Sequence, residues 1–132
     1  MRISCSFLCL LSCLPLLRGW NLSSSNRILV VGQGGREHCI ASYLAKSPLV
    51  KDVVVAPGNA GCEAFGGKLQ RLGAPGTQTE WAAVAKEQEF DLVVIGPEAP
   101  LVTGLGDELR AAGVKVFGPS ALAARLEGSK AW

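Results

Sequence analysis

ILVVGQGGREH, residues 28–38, runs from four apolar residues into a turn with three glycines and then into a segment with apolar residues at helical spacing. A short β-branched run that empties into a glycine-rich turn and a helix is a common way to build a nucleotide or phosphate site. Outward from this stretch the same alternation repeats. Arg27–Val31, Lys51–Val55, Asp91–Ile95 and Lys115–Phe117 are brief apolar runs ended by glycine or proline, which predicts buried strands. Residues Arg36–Lys46, Thr79–Glu89, Leu101–Ala112 and Ser120–Gly128 are predicted as helices, with Thr77 and Glu80 forming a capping box for the second. The glycine-rich segment Gly66–Gly76 predicts either a short strand around Leu69–Leu72 or only loop. Such alternation implies an α/β fold, an open parallel sheet with helices on both faces.

Composition narrows the function. The chain has 132 residues, 48% hydrophobic and 18% charged, which suits one globular domain. A net charge of +2 with scattered basic residues argues against nucleic acid or an acidic membrane surface as partner. Residues 1–26 differ from the rest: an arginine, an apolar run from Cys5 to Leu17 without an acidic residue, and a polar Ser/Asn stretch. They predict a hydrophobic leader, too short to span a bilayer, which is either a working signal or an upstream segment joined to the domain. Three of the five cysteines fall in it. Cys39 and Cys62 remain, without CxxC spacing, and His38 is the single histidine, so neither a disulfide framework nor a metal site is predicted.

Right-handed crossovers place the C-terminal ends of parallel strands on one edge, where open α/β folds bind ligands. Four unusual loops converge there: GQGGREH, APGNAG (56–61), GPEAPL (96–101) and GPS (118–120). A dinucleotide site fails at two positions. Glu37 stands where the GxGxxG fingerprint needs its third glycine, and the second strand ends in Ala56-Pro57 where an acidic residue would bind the ribose. What remains is a turn with backbone N–H groups at Gly34 and Gly35, the Arg36 guanidinium and the Glu37 carboxylate. That suits a small polar ligand, or Arg36 and Glu37 form a solvated pair at a helix start. Glu98, between Pro97 and Ala99, is either a carboxylate aimed across the edge to accept hydrogen bonds from both hydroxyls of a ribose, or a surface glutamate in a turn.

The ordered motifs LVVGQGGREH, VVVAPGNAG, LVVIGPEAPLVTGLGDELRAAGVKVFGPS and LEGSKAW together resemble the phosphoribosylamine–glycine ligase family, also called glycinamide ribonucleotide synthetase, over residues 27–132. The resemblance implies a Rossmann-like, pre-ATP-grasp domain forming one wall of the phosphoribosylamine site. It implies an ATP-dependent joining of glycine to 5-phosphoribosylamine in purine biosynthesis, through a glycyl phosphate. By position, Gly34, Gly35, Arg36 and Glu37 would border the reacting amine or glycyl end, Glu98 would hold the ribose hydroxyls, and Asn59 and Gly61 would line the same edge. Lys130 stands where related ligases place a basic residue near the ATP phosphates; the other reading is a solvated lysine. ATP with Mg or Mn belongs to the full-length family enzyme, whose ATP-grasp domain is expected in cis. Residues 27–132 are expected to be the substrate-side domain truncated before it, with no catalytic residue of their own, no tight cofactor binding and no activity alone. The resemblance also implies a cytoplasmic setting, with residues 1–26 as a route to a plastid. The competing expectation is a non-catalytic module that binds a sugar phosphate, a nucleotide or a partner protein on the same edge.

Overall fold

A computed structural model describes residues 25–128. The predicted leader, apart from its last two residues, and Lys130 lie outside the described residues. Five strands form one parallel sheet in the order β3-β2-β1-β4-β5: β1 (Asn26–Gly32), β2 (Val50–Pro57), β3 (Leu69–Arg71), β4 (Leu92–Ile95) and β5 (Val116–Phe117). Asn26, counted above with the leader, opens β1 opposite Val50. Pairing begins at β1, which lies between β2 and β4, in the register Val30↔Val55 and Val30↔Val94. The order reverses between β1 and β4, where the crossovers from neighbouring strands leave the sheet on opposite faces and open a crevice.

The central strands are apolar on both sides because both sides are covered. Helices α1 (Gly35–Ala45) and α2 (Ala60–Phe65) lie on one face, where Ala41 and Cys62 pack against Ile28, Val30, Val53 and Val55. Helices α3 (Gln78–Glu87), α4 (Glu98–Val102), α5 (Leu105–Ala111) and α6 (Ala121–Gly128) supply the other core. There Trp81, Leu101, Leu105, Leu109 and Ala124 meet Leu29, Val31, Val93 and Ile95. Leu29, Val30, Val53 and Val55 are completely buried, each contributing about 1.5–3 kcal/mol of transfer free energy. The predicted α/β sheet with helices on both faces is the observed fold.

Three local expectations change. The single predicted helix over Leu101–Ala112 is two, because Gly104 takes a left-handed conformation (φ 97°) and breaks the backbone ladder between α4 and α5. Leu101, Leu105 and Leu109 nonetheless all reach the core. The doubtful segment does hold a strand, but only Leu69–Arg71. A helix not predicted at all, α2, follows β2, started by Asn59, whose Oδ1 accepts the Gly61 N–H at 2.9 Å.

The capping box of α3 is present as predicted. The Thr77 hydroxyl accepts the Glu80 N–H, while Glu80 Oε2 accepts from the N–H groups of Gly76 (2.6 Å) and Thr77 (3.2 Å). Those bonds, Gly76 first, hold the Glu80 carboxyl below its ordinary pKa of 4.5. A depressed carboxyl contributes stability above its unfolded pKa and loses it as pH falls through the folded value, so this cap is complete at neutral pH and weakens only in acid.

Among the described residues no helix is long and apolar enough to cross a membrane. Among the same residues, no group of three or more His, Cys, Asp or Glu side chains is placed to hold a metal ion.

Candidate functional site at the switch point

The crevice between β1 and β4 opens at the C-terminal edge into a cleft of about 420 Å³ lined by Val31, Gly32, Gln33, Gly34, Glu37, Pro57, Trp81, Pro97 and Pro100. A second hollow of about 260 Å³ shares Val31, Trp81 and Pro100 with it and extends along Gly76, Thr77 and Gln78 to Thr103. Three of the four predicted loops therefore do meet: those after β1, β2 and β4. The GPS loop after β5 contributes no lining residue to either hollow.

Glu37 overturns the solvated-pair alternative. Its side chain is 5% exposed although its neighbour Arg36 is 58% exposed. Gly34, the residue before α1, has no side chain to cap the helix; instead Glu37, in the first turn, reaches back so that Oε2 accepts the Gly34 N–H at 2.8 Å. Its other oxygen accepts from Arg36 Nε at 3.1 Å. The space it occupies is left by glycines. A Cβ at Gly34 would stand 2.7 Å from Glu37 Oε2, and one at Gly32 or Gly96 would overlap the Glu37 side chain. Gly32 is also held at φ 138°, a backbone that L side chains rarely adopt.

Arg36 spans the switch point. Its Nη2 donates to the Gly96 carbonyl at 2.8 Å and lies 3.8 Å from Glu98 Oε2, so the start of α1 is tied to the exit of β4. Glu98 is the first residue of α4 rather than a loop residue. It is flanked by the lining residues Pro97 and Pro100 and is 53% exposed. Gly35 opens α1, and nothing lies within 4 Å of a Cβ built there.

Asn59 and Gly61 sit one loop away. Asn59 Nδ2 donates to Gln33 O at 2.9 Å, joining the turn after β2 to the turn after β1. Gly61 faces α1: a Cβ there would stand 2.6 Å from His38 Cε1, so glycine is needed for helix packing. The sequence reading missed Trp81, which walls both hollows, and Arg71, whose Nε donates to Pro57 O at 2.7 Å and whose Nη1 pairs with Glu63 at 2.7 Å. The available signal for Trp81 was a large aromatic in the first turn of a capped helix; Arg71 ends a three-residue strand whose existence was itself in doubt.

At the turn the Gly34 N–H is taken by the Glu37 carboxylate, and the pairing of Arg36 and Glu98 puts both signs of charge beside the cleft. The arrangement can accept a small polar molecule that offers hydroxyl and amine groups.

Comparison with known proteins fits this fold. The family profile described as "Phosphoribosylglycinamide synthetase, N domain" matches residues 26–127. A phosphoribosylamine–glycine ligase of Brucella melitensis is 52% identical over 104 residues, 79% of this chain and 24% of the relative. The ligase of the same name from Escherichia coli K12 is 51% identical over 107 residues, 80% of this chain and 25% of the relative. The trifunctional purine biosynthetic protein adenosine-3 of Gallus gallus is 49% identical over 108 residues, 82% of this chain and 11% of the relative. The chain thus spans about a quarter of the two bacterial relatives and less of the third. With a profile matching most of its length, the chain belongs to the phosphoribosylglycinamide synthetase N-domain family.

Proposed function

We propose that this domain forms the substrate-side wall of a phosphoribosylamine–glycine ligase, acting in purine biosynthesis together with an ATP-grasp domain in cis. The observation that carries the reading is a switch-point cleft lined by Gly34 and Glu37, with the Arg36–Glu98 pair beside its lining residues Glu37 and Pro97, in a chain of this family. In this reading Glu98 accepts hydrogen bonds from the ribose diol of 5-phosphoribosylamine. Gly34, Gly35, Arg36 and Glu37 border the amine or glycyl end, and Asn59 and Gly61 keep the neighbouring turn in place. ATP and Mg, or Mn, are held by the rest of the enzyme, with Lys130 as the one candidate contact from this chain. The setting we propose is the cytosol, with residues 1–26 a candidate for organelle targeting.

The test is a chimera. Residues 26–127 of this chain replace the matched segment of the Escherichia coli ligase, which is 51% identical over the aligned region. ATP-dependent formation of glycinamide ribonucleotide is expected from the chimera. None is expected from the 132-residue chain by itself, because positioning and charge stabilisation of the phosphoryl group supply most of such catalysis. A chimera that folds and binds ATP and glycine but forms no product would favour the non-catalytic binding module.

A further inference from the structure

We propose that Glu37 is a specificity-determining residue: its carboxylate is a tethered anion that fills, from within the chain, the place where open α/β domains hold a ligand's phosphate. A helix N-terminus at the end of the first strand attracts anions through its N–H groups and dipole. Here α1 already has one. Glu37 Oε2 accepts the Gly34 N–H at 2.8 Å, and the opposite oxygen meets Arg36 Nε at 3.1 Å. The Glu37 side chain is 5% exposed, so it cannot be read as a surface charge that swings aside.

The surrounding backbone is shaped around it. Gly32 and Gly34 in the first turn and Gly96 at the exit of β4, far along the chain, each stand where any side chain would strike Glu37. In a dinucleotide fingerprint the glycines clear room for a pyrophosphate. The same clearance here admits a side chain of the protein. A second anion would face both a filled volume and a like charge, so phosphate groups are shut out of this turn. A consequence rests on the ligase reading above: the sugar phosphate enters the cleft with its phosphate away from the β1–α1 turn and its uncharged or cationic groups toward it.

The probe is inorganic pyrophosphate, titrated calorimetrically at constant ionic strength into the 132-residue chain and its Glu37→Gly variant. The unaltered chain is expected to give no saturable signal at millimolar ligand, and the variant to bind at least about tenfold more tightly, since the freed N–H and dipole again face an open pocket. Binding of equal strength by both, or no binding by a variant that circular dichroism shows to be folded, would overturn the assignment. Should Glu37→Gly not fold, Glu37→Gln carries the test, because it keeps the volume but removes the charge opposite Arg36. Its thermal midpoint at pH 7 is expected below that of the unaltered chain, and an unchanged midpoint would contradict a carboxylate acting as the anion of this turn. Neither readout uses ligase activity, so failure here and failure of the chimera are separate results.

Discussion

Replacing Glu98 by glutamine in the chimeric ligase is expected to raise KM for phosphoribosylamine roughly tenfold to hundredfold. A charge-assisted hydrogen bond contributes about 1.5–3 kcal/mol, and about 1.4 kcal/mol is a factor of ten. Glutamine keeps the shape and one acceptor but not the charge. KM values for ATP and glycine should hardly move, since neither meets the ribose in the proposed site. Stability should also survive: Glu98 and Arg36 are each more than half exposed and 3.8 Å apart, a pair of the kind that contributes little to folding. If Glu98 serves only as the partner of Arg36, the glutamine variant will bind phosphoribosylamine normally.

Gly96→Ala should lower stability by about 1–3 kcal/mol, the usual cost of forcing a carbon into filled space. Its Cβ would overlap Glu37, whose carboxylate is fixed by Gly34 and Arg36. Either Glu37 leaves its bonds or the β4 exit shifts. For a domain of this size each 1 kcal/mol lowers the thermal midpoint by about 4–8 °C. The cause can be isolated with a double-mutant cycle: adding Glu37→Ala removes the obstruction, so the pair should cost less than the sum of the two single changes. Strict additivity would show that Gly96 is needed for some other reason.

Four of the five strands were legible because each ends in a short apolar run closed by glycine or proline, and because buried parallel strands need no polar face; β3, with only Leu69 buried, carries no such signal. Helix α2 was not legible. It has six residues, too few for an apolar period, and its only signal is Asn59 as a cap. The split between α4 and α5 was hidden for the opposite reason: Leu101, Leu105 and Leu109 continue a helical spacing across Gly104, and only the glycine marks the break. At the site, the sequence brought out the residues that meet at the edge but not how they stand. A glutamate beside an arginine at a helix start reads equally as part of a ligand turn or as half of a solvated pair. That it is buried depends on Gly96, which the chain delivers from the far exit of β4 and which no local pattern connects to Glu37.

The proposed place of binding can be read most directly by amide NMR of the 132-residue chain titrated with ribose 5-phosphate, which carries the diol and the phosphate of the proposed substrate. A third hollow, of about 330 Å³ at the opposite edge of the sheet and lined by Lys86, Glu89, Phe90, Asp91 and Lys115 among others, provides the control. Saturable shifts at Gly32–Glu37, Asn59–Gly61 and Gly96–Ala99, with Lys86, Glu89 and Lys115 unmoved, are the expected result. Shifts gathered at Lys86, Glu89 and Lys115, with the switch-point residues silent, would contradict a substrate site between β1 and β4.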